Sequence, residues 1–148
     1  CKALKFIFIR GATFKKLTIK MYMQNATKLE HLFMIDGQLE EISPNCFDDL
    51  THLKLLSLTN NKLKYFQMRI VESLKQLEYL LLNGNQILTI DVKTLIKSVP
   101  SIKYVGLKSN KVPCTKYQEI WVYLKAKKII LDDLTDNEDS PVCNFTFF

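Results

Sequence analysis

The chain has 148 residues, a formal net charge of +6 and a hydrophobic content of 47%. This length and apolar content predict a single domain, residues 1–148, with enough apolar surface for a core. No apolar run reaches the roughly 18 residues that a membrane-spanning helix needs, so we expect no membrane span. The chain holds only four glycines and four prolines, and no linker or low-complexity stretch divides it.

A pattern of apolar residues at positions 1, 4, 6 and 11, with a polar or small residue at position 9, recurs along the chain. Its copies start at residues 4, 29, 53, 77 and 102, a spacing of 24 or 25 residues. Position 9 is Ala12 and Gly37 in the first two copies and asparagine in the other three, namely Asn61, Asn85 and Asn110. A repeat of this length predicts a solenoid in which each copy forms one coil.

Within each copy, apolar and other residues alternate from position 1 to position 6, the period of a short strand. Stacked copies therefore predict an α/β solenoid with a concave parallel sheet and irregular or helical convex segments. The amides of Asn61, Asn85 and Asn110 are expected to bond backbone groups of their own and adjacent turns, as a buried ladder. Ala12 and Gly37 cannot join that ladder, so we expect the first two coils to be less regular.

The segment after the last repeat, residues 113–148, is expected to be a cap, because the last coil has no further repeat to bury it. Tyr117, Ile120, Trp121 and Leu124 follow at roughly helical spacing, with lysines on the other side. An acidic run at residues 132–139 is expected to be a solvated loop, with an interaction tail as the alternative.

This layout resembles extracellular leucine-rich repeat proteins. The stretch from Asn110 to Cys114, followed by Trp121, is similar to their C-terminal flanking cap in reduced form; the usual cap has Asn-Pro, a Cys-x-Cys pair and two disulfides. The reduced form is similar to short secreted arthropod proteins such as the mosquito leucine-rich immune proteins, whose C-terminal coiled coil is missing here. The resemblance implies a secreted recognition or scaffold role in innate immunity. Other members of the superfamily are receptor ectodomains or adhesion proteins.

The four cysteines permit three pairings, and sequence alone does not choose among them. A Cys114–Cys143 disulfide would tie down the helical cap and contribute about 3–4 kcal/mol in the chain-entropy model. By elimination Cys1 then pairs with Cys46, or Cys1 has a partner outside this chain. The alternative is a cytosolic protein with reduced, buried cysteines.

Two N-glycosylation sequons, at Asn25 and Asn144, favour secretion over a cytosolic location. No signal peptide is visible, and a chain starting at Cys1 fits a mature or trimmed protein.

Strand side chains between the core positions point to the concave face. Many are apolar or aromatic where solvent contact predicts polar residues, and the candidates for partner binding are Phe6, Phe8, His31, Phe33, Ile35, Leu55, Tyr79, Leu81 and Tyr104. A contiguous apolar and aromatic surface predicts the docking of a protein or lipid-like partner, in a hetero- or homo-oligomer. The alternative is that an N-terminal segment covers the phenylalanines locally.

Basic clusters at Lys15-Lys16 and at Lys125, Lys127 and Lys128 suggest a second function, the binding of anionic glycans. No nucleic-acid motif accompanies them, so no nucleic acid is expected as a partner. Catalysis is not expected: the two histidines, His31 and His52, have no cysteine or carboxylate at metal-ligand spacing. No phosphate loop or nucleophile motif is present, so we expect neither a metal nor a cofactor.

Overall fold

The computed structural model describes residues 3–18 and 25–132. Six short parallel strands form one sheet in chain order, and a two-stranded parallel sheet lies beside it. The six strands are β1 (Phe6–Arg10), β3 (His31–Ile35), β5 (Leu55–Ser57), β6 (Tyr79–Leu81), β7 (Tyr104–Gly106) and β8 (Ile130–Leu131). The small sheet pairs β2 (Lys16–Leu17) with β4 (Glu41–Ile42). The predicted solenoid with a concave parallel sheet is confirmed.

The strands pair at the repeat spacing, so that equivalent positions of successive coils form columns. Phe6 faces His31, His31 faces Leu55, Leu55 faces Tyr79, and Tyr79 faces Tyr104. Because the register never slips, a residue's position in its repeat determines the column to which its side chain belongs.

The convex side is irregular, and the described part of the chain has a 3-10 helix (Met68–Ile70), one short α-helix and one longer α-helix. Helix α1 (Val92–Ser98) begins after Asp91, whose carboxylate accepts from the Thr94 backbone N–H at 3.0 Å. This is an ordinary N-cap, which satisfies an amide that the helix itself leaves unpaired. Helix α2 (Cys114–Ala126) follows the last coil and covers its open end, as the sequence predicted.

The core consists of the repeat's apolar positions, together with the convex residues that point inward. Leu32, Leu56, Leu80 and Val105, one from each of coils 2 to 5, are fully buried. Each such side chain contributes roughly 1.5–3 kcal/mol to folding, before the entropy cost of ordering it. The convex side supplies further buried residues: Ile42, Leu50, Phe66, Leu74, Ile90 and Val99.

The three position-9 asparagines bond coils 3, 4 and 5 each to the coil before it. Asn85 Nδ2 donates to the Leu82 carbonyl of its own coil at 2.9 Å and to the Leu58 carbonyl of the preceding coil at 3.0 Å. Its Oδ1 accepts from the Leu63 N–H at 3.1 Å. Asn61 and Asn110 repeat this pattern with their own neighbours. Asn61 and Asn85 are buried, while Asn110, at the end of the ladder, is half-buried.

The residue before the ladder position has a left-handed backbone in every coil. Its φ is between 51° and 72° at Gly11, Asp36, Asn60, Gly84 and Ser109. Glycine, asparagine and aspartate tolerate this conformation best. At Gly84 there is a second reason, because an added Cβ would lie 2.0 Å from Asn60 Oδ1. Position 8 therefore turns the chain so that the next residue points into the coil.

The first two coils are not less regular, contrary to expectation. β1 and β3 have five residues each, against three for β5, β6 and β7, and these two coils alone add the β2–β4 pair among the described residues. Backbone bonds connect these coils where the asparagine amide is missing. The Gln38 N–H, for example, donates to the Ala12 carbonyl at 3.0 Å.

The C-terminal cap is held by a carboxylate. Asp132 directly follows β8 and is 3% exposed. It accepts from the Leu107 and Lys108 backbone N–H groups, from Asn83 Nδ2 at 2.7 Å and from the Tyr117 hydroxyl at 2.6 Å. Burial and the carboxylate together raise the pKa of Tyr117. The acidic run was expected to be solvated throughout, which is wrong for its first residue; residues 133–139 lie outside the described residues.

The suggested Cys1–Cys46 bridge is wrong, because Cys46 is a free, buried thiol in the core of the convex side. Burial, with the nearby charge of Asp48, raises the pKa of this thiol to about 12, which makes it unreactive at neutral pH. Cys1 lies outside the described residues. Cys114 is the first residue of α2, and its predicted partner Cys143 is likewise outside them, so that pairing stays a prediction.

Replacing the central ladder residue, Asn85→Leu, is expected to cost about 2–4 kcal/mol of unfolding free energy. The substitution leaves the buried Leu63 N–H unpaired, which costs roughly 1–3 kcal/mol. It also removes one of the two side-chain bonds to the Leu58 and Leu82 carbonyls, which Asn61 and Asn110 still bond. Chemical denaturation monitored by circular dichroism measures the loss. Thr89→Ala, an exposed substitution in the same coil, is the control, and an equal loss in both variants would contradict the ladder's role.

Candidate binding face

The solvent side of the six-stranded sheet carries the residues that the sequence singled out for partner binding. Phe6 and Phe8 are 52% and 51% exposed, and Tyr79 is 41% exposed. The others are half-buried: His31, Phe33, Ile35, Leu55, Leu81 and Tyr104. All of them lie on neighbouring strands, so the face is a continuous surface with a large apolar share.

Four rings of the first two coils form a cluster at the N-terminal end of this face. The Phe6 and Phe33 ring centroids are 5.3 Å apart, those of Phe8 and Phe33 are 5.8 Å apart, and the His31 ring lies 6.3 Å from Phe6. Tilted pairs at such distances are favourable for aromatic side chains. We call Phe6, Phe8, His31 and Phe33 the N-terminal ring cluster.

A second aromatic pair lies towards the other end of the face. The rings of Tyr79 and Tyr104 are 6.3 Å apart and tilted by 35°. Beside them, Gly106 leaves room for the Asn83 amide, since a Cβ at Gly106 would lie 2.1 Å from Asn83 Oδ1. Asn83 in turn bonds Asp132, so the cap determines how the face ends next to Tyr104.

A column of alternating charges, which the sequence reasoning overlooked, borders the face where the strands begin. Position 2 of the five coils is Lys5, Glu30, Lys54, Glu78 and Lys103; we call these residues the rim ladder. Glu30 Oε1 lies 3.4 Å from Lys5 Nζ, Glu30 Oε2 lies 4.0 Å from Lys54 Nζ, and Lys103 Nζ lies 2.5 Å from Glu78 Oε1.

The lysines of the rim ladder hold its carboxylates in the ionised form. A hydrogen bond from Lys5, together with its charge, lowers the pKa of Glu30, and Lys103 does the same for Glu78. The pKa of Lys103 rises in return. Exposed pairs of this kind stabilise little one by one, so the main effect is a polar border of alternating charges beside an apolar surface.

The opposite border, where the strands end, is a smaller polar network around Asp36. Its carboxylate accepts from Asn60 Nδ2 and from Arg10 Nε, each at 2.9 Å. Asn60 and Arg10 hold the pKa of Asp36 below its usual value. The apolar face thus lies between two polar borders whose charges are paired.

The two predicted basic clusters differ in the structure. Lys15 and Lys16 are paired with Glu40 at 3.8 Å and Glu41 at 2.9 Å, which neutralises the first cluster. In the second, Lys125 lies over the Trp121 ring at 4.5 Å and Lys127 near Tyr123 at 5.9 Å. A groove beside α2 is lined by Lys93 of α1 and by Glu119, Val122 and Tyr123 of α2, among others. It holds both charge signs.

The histidines do not form a site. His31 belongs to the N-terminal ring cluster, while Nδ1 of His52 lies 3.0 Å from the Thr27 carbonyl oxygen in a return loop. Within residues 3–18 and 25–132, no group of three or more His, Cys, Asp or Glu side chains is placed to hold a metal ion. No helix in the same part of the chain is long and apolar enough to cross a membrane.

The sequon asparagine that the structure describes, Asn25, is exposed and has a φ of 72°. It precedes the buried Ala26 on a return loop, away from the strands of the concave face. The second sequon residue, Asn144, lies outside the described residues.

Comparison with known proteins agrees with this fold. Residues 27–87 match a family model described as a leucine-rich repeat. A leucine-rich repeat protein of Leptospira interrogans has a similar structure, with a TM-score of 0.73 and 25% sequence identity. The match covers 88% of this chain and 31% of that chain, so the present chain spans about a third of the other protein. The fold is that of leucine-rich repeat proteins, whose domains are typically protein-interaction modules without catalytic activity.

Removing both acids of the rim ladder, in a Glu30→Gln/Glu78→Gln variant, is expected to make the protein less sensitive to acid. The pKa values of Glu30 and Glu78 are lowered in the folded protein. Their ionised carboxylates therefore stabilise the fold above the unfolded pKa of about 4.3, and this stabilisation is lost as the pH falls through the lower native pKa. The melting temperature of the variant should therefore change less between about pH 6 and about pH 3.

The control for that measurement is Glu119→Gln, which removes an exposed carboxylate on α2 that is paired with Lys116. Addition of about 0.5 M salt should reduce the difference between wild type and the double variant at neutral pH, because salt screens exposed charges. An identical pH dependence in the wild type and the double variant would show that the rim ladder does not stabilise the fold.

Proposed function

We propose that this chain is a secreted, non-catalytic recognition module that binds a protein partner through its concave face. The observation that carries the proposal is the run of exposed and half-exposed aromatic and aliphatic side chains from Phe6 to Tyr104 on one sheet surface. Tyrosine, phenylalanine and leucine on such a surface keep apolar area in contact with water unless a partner covers it.

The shape and borders of the face favour a protein over a small lipid-like ligand. Small ligands are usually bound in concave pockets that bury most of their surface. Here the side chains are half-exposed across five neighbouring strands, an arrangement that suits a broad contact. An apolar centre with a polar rim is also the usual anatomy of protein interfaces. Tyr79 lies near the middle of the face, with Leu55 in its own column and Leu81 in the next, and binding hot spots concentrate in the middle of an interface.

A role in innate immunity rests on the resemblance to secreted arthropod leucine-rich repeat proteins, and an extracellular location rests on the sequons and cysteines. The alternative within the same class is the ectodomain of a receptor or adhesion protein. Both alternatives use the same face, so one set of variants tests them together.

A Tyr79→Ala/Tyr104→Ala variant is expected to bind the partner about 30-fold or more weakly, the loss that follows from removing roughly 2 kcal/mol of hot-spot energy. The partner is first identified by a photo-crosslinking amino acid placed at Leu55 and incubated with the extracellular fluid of the source organism. Its purified form is then titrated by calorimetry against wild type and variants.

The matched control is Tyr65→Ala, which removes a tyrosine that is 74% exposed but lies outside the strands of the sheet. It should bind like wild type. Because Tyr104 lies near the cap, Tyr79→Ala alone is measured as well, with circular dichroism on each variant. Unchanged affinity of the folded double variant would exclude the concave face as the binding site.

Expression through a eukaryotic secretory pathway is expected to give a protein that carries a glycan at Asn25. Glycosidase treatment should change the mass of wild type, and Asn25→Gln should remove one glycan. Thr27→Ser keeps the sequon and should keep the glycan, which makes it the control. A secreted wild-type protein without sugar at Asn25 would contradict this part of the proposal.

A further inference from the structure

The two ends of the solenoid are chemically different. The C-terminal end is covered by α2 and by Asp132, whose oxygens accept the Leu107 and Lys108 N–H groups. At the N-terminal end β1 is the outermost strand, and no other described strand lies on its outer side.

Within the described part of the chain, the outer side of β1 presents unpaired backbone groups at alternate residues. The Lys5 carbonyl accepts from the His31 N–H and the Gly11 N–H donates to the Ile35 carbonyl, each at 3.0 Å, so odd-numbered residues bond to β3. Successive residues of a strand direct their N–H and C=O groups to opposite sides. Phe6, Phe8 and Arg10 therefore direct their backbone groups outward, and such an edge readily pairs with another strand.

The side chains at this end are also incompletely covered. Ile7 and Ile9 occupy core columns but are only partly buried, whereas Leu32 and Met34, which face them in the next coil, are 0% and 3% exposed. Leu4 is 39% exposed. The open edge is thus apolar on the core side of the sheet and aromatic on the concave side.

We propose that β1 pairs antiparallel with β1 of a second copy of this chain, on a twofold axis that passes beside Phe8. The strand Phe-Ile-Phe-Ile-Arg is nearly symmetric about its centre, which is what an isologous contact requires. In this register Phe8 faces Phe8 of the second copy, Phe6 faces Arg10, and Ile7 faces Ile9.

In this register the outward backbone groups of Phe6, Phe8 and Arg10 all gain hydrogen-bond partners. The three facing pairs that involve Phe6, Phe8 and Arg10 are hydrogen-bonded pairs, each of which exchanges two backbone bonds. The isoleucines of the two copies meet on the core side and cover each other. Each Arg10 lies opposite a Phe6 ring, a favourable cation–π arrangement, and the two arginines stay at opposite ends of the contact.

Pairing also joins the two concave faces. Each Phe8 ring already contacts Phe33 of its own chain at a centroid distance of 5.8 Å, and the second copy would add its own Phe8 beside it. The two N-terminal ring clusters then form one aromatic surface in the middle of a twelve-stranded sheet (two copies of the six-stranded sheet). The dimer can be tested without any other partner, so its outcome is independent of the proposed function.

The first test is the molar mass of the 148-residue chain in solution. Light scattering after size exclusion should give twice the monomer mass at protein concentrations of about 10–100 µM. This concentration range suits the affinity expected of an interface of modest area. Phe8→Lys places two like charges on the axis and should give a monomer with an unchanged circular dichroism spectrum. Tyr79→Lys, away from the edge, is the control and should stay dimeric. A monomeric wild type, or a dimeric Phe8→Lys, overturns the proposal.

The second test checks the register by disulfide trapping in a Cys1→Ser background. Phe8→Cys should crosslink readily on mild oxidation, because the facing Cα atoms are about 5.5 Å apart in a hydrogen-bonded pair, within disulfide range. Phe6→Cys should not crosslink, because residue 6 faces Arg10 of the second copy. The two cysteines would then be four residues, about 13 Å, apart along the strand. Cys46 is buried and should not interfere. Equal trapping of both variants, or trapping of neither, overturns this pairing.

Discussion

The bonds that the position-9 asparagine makes between coils are the interaction on which the structure depends. Each amide donates to a carbonyl of its own coil and to one of the coil before, and its oxygen accepts an N–H of that earlier coil. The bonds hold neighbouring coils at the separation of paired strands, about 4.7–4.9 Å. The side chains of each position then align as columns across the sheet. The order of the concave face therefore follows from the need to bond backbone groups between coils.

The left-handed residue before each asparagine makes this arrangement possible. Only a turn at position 8 brings the amide of position 9 into the coil, and the chain has residues that tolerate the turn in all five repeats. The residues at position 8 are Gly11, Asp36, Asn60, Gly84 and Ser109. Their types differ too much for a sequence pattern to predict the left-handed turn. The leucine spacing was therefore sufficient to predict the strands and core columns, while the turn became visible only in the backbone angles.

Other features show where reasoning from the sequence reaches its limit. The first two coils were expected to be irregular for lack of asparagine, yet backbone bonds such as that from Gln38 N–H to the Ala12 carbonyl connect them. A side-chain pattern does not reveal such bonds. Asp132 looked like one member of a solvated acidic run, and its burial depends on Asn83, which is far away in sequence. The rim ladder, in contrast, repeats Lys and Glu at the coil spacing, so the amino-acid sequence alone is sufficient to predict it.

The same rule that stacks the coils explains why the two ends behave differently. Between coils, the position-6 N–H donates to the position-5 carbonyl of the next coil, as Leu58 does to Leu81 and Leu82 does to Gly106. At the last coil the corresponding donor, the Leu107 N–H, meets the Asp132 carboxylate instead. A carboxylate only accepts, so it satisfies the donors of the last coil without offering any to a further one.

The N-terminal edge has no comparable terminator within the described residues. Phe6, Phe8 and Arg10 present donors and acceptors together, which is the combination that strand pairing needs. A solenoid built from self-similar coils is extendable in both directions unless an end is altered chemically. Among the described residues, such an alteration is seen at the C-terminal end, where Asp132 accepts the last donors. The strength of a contact at the N-terminal end therefore depends on which strand pairs with β1. The aromatic face is richest in exposed rings at that same end, which ties the oligomeric state of the chain to the size of its binding surface.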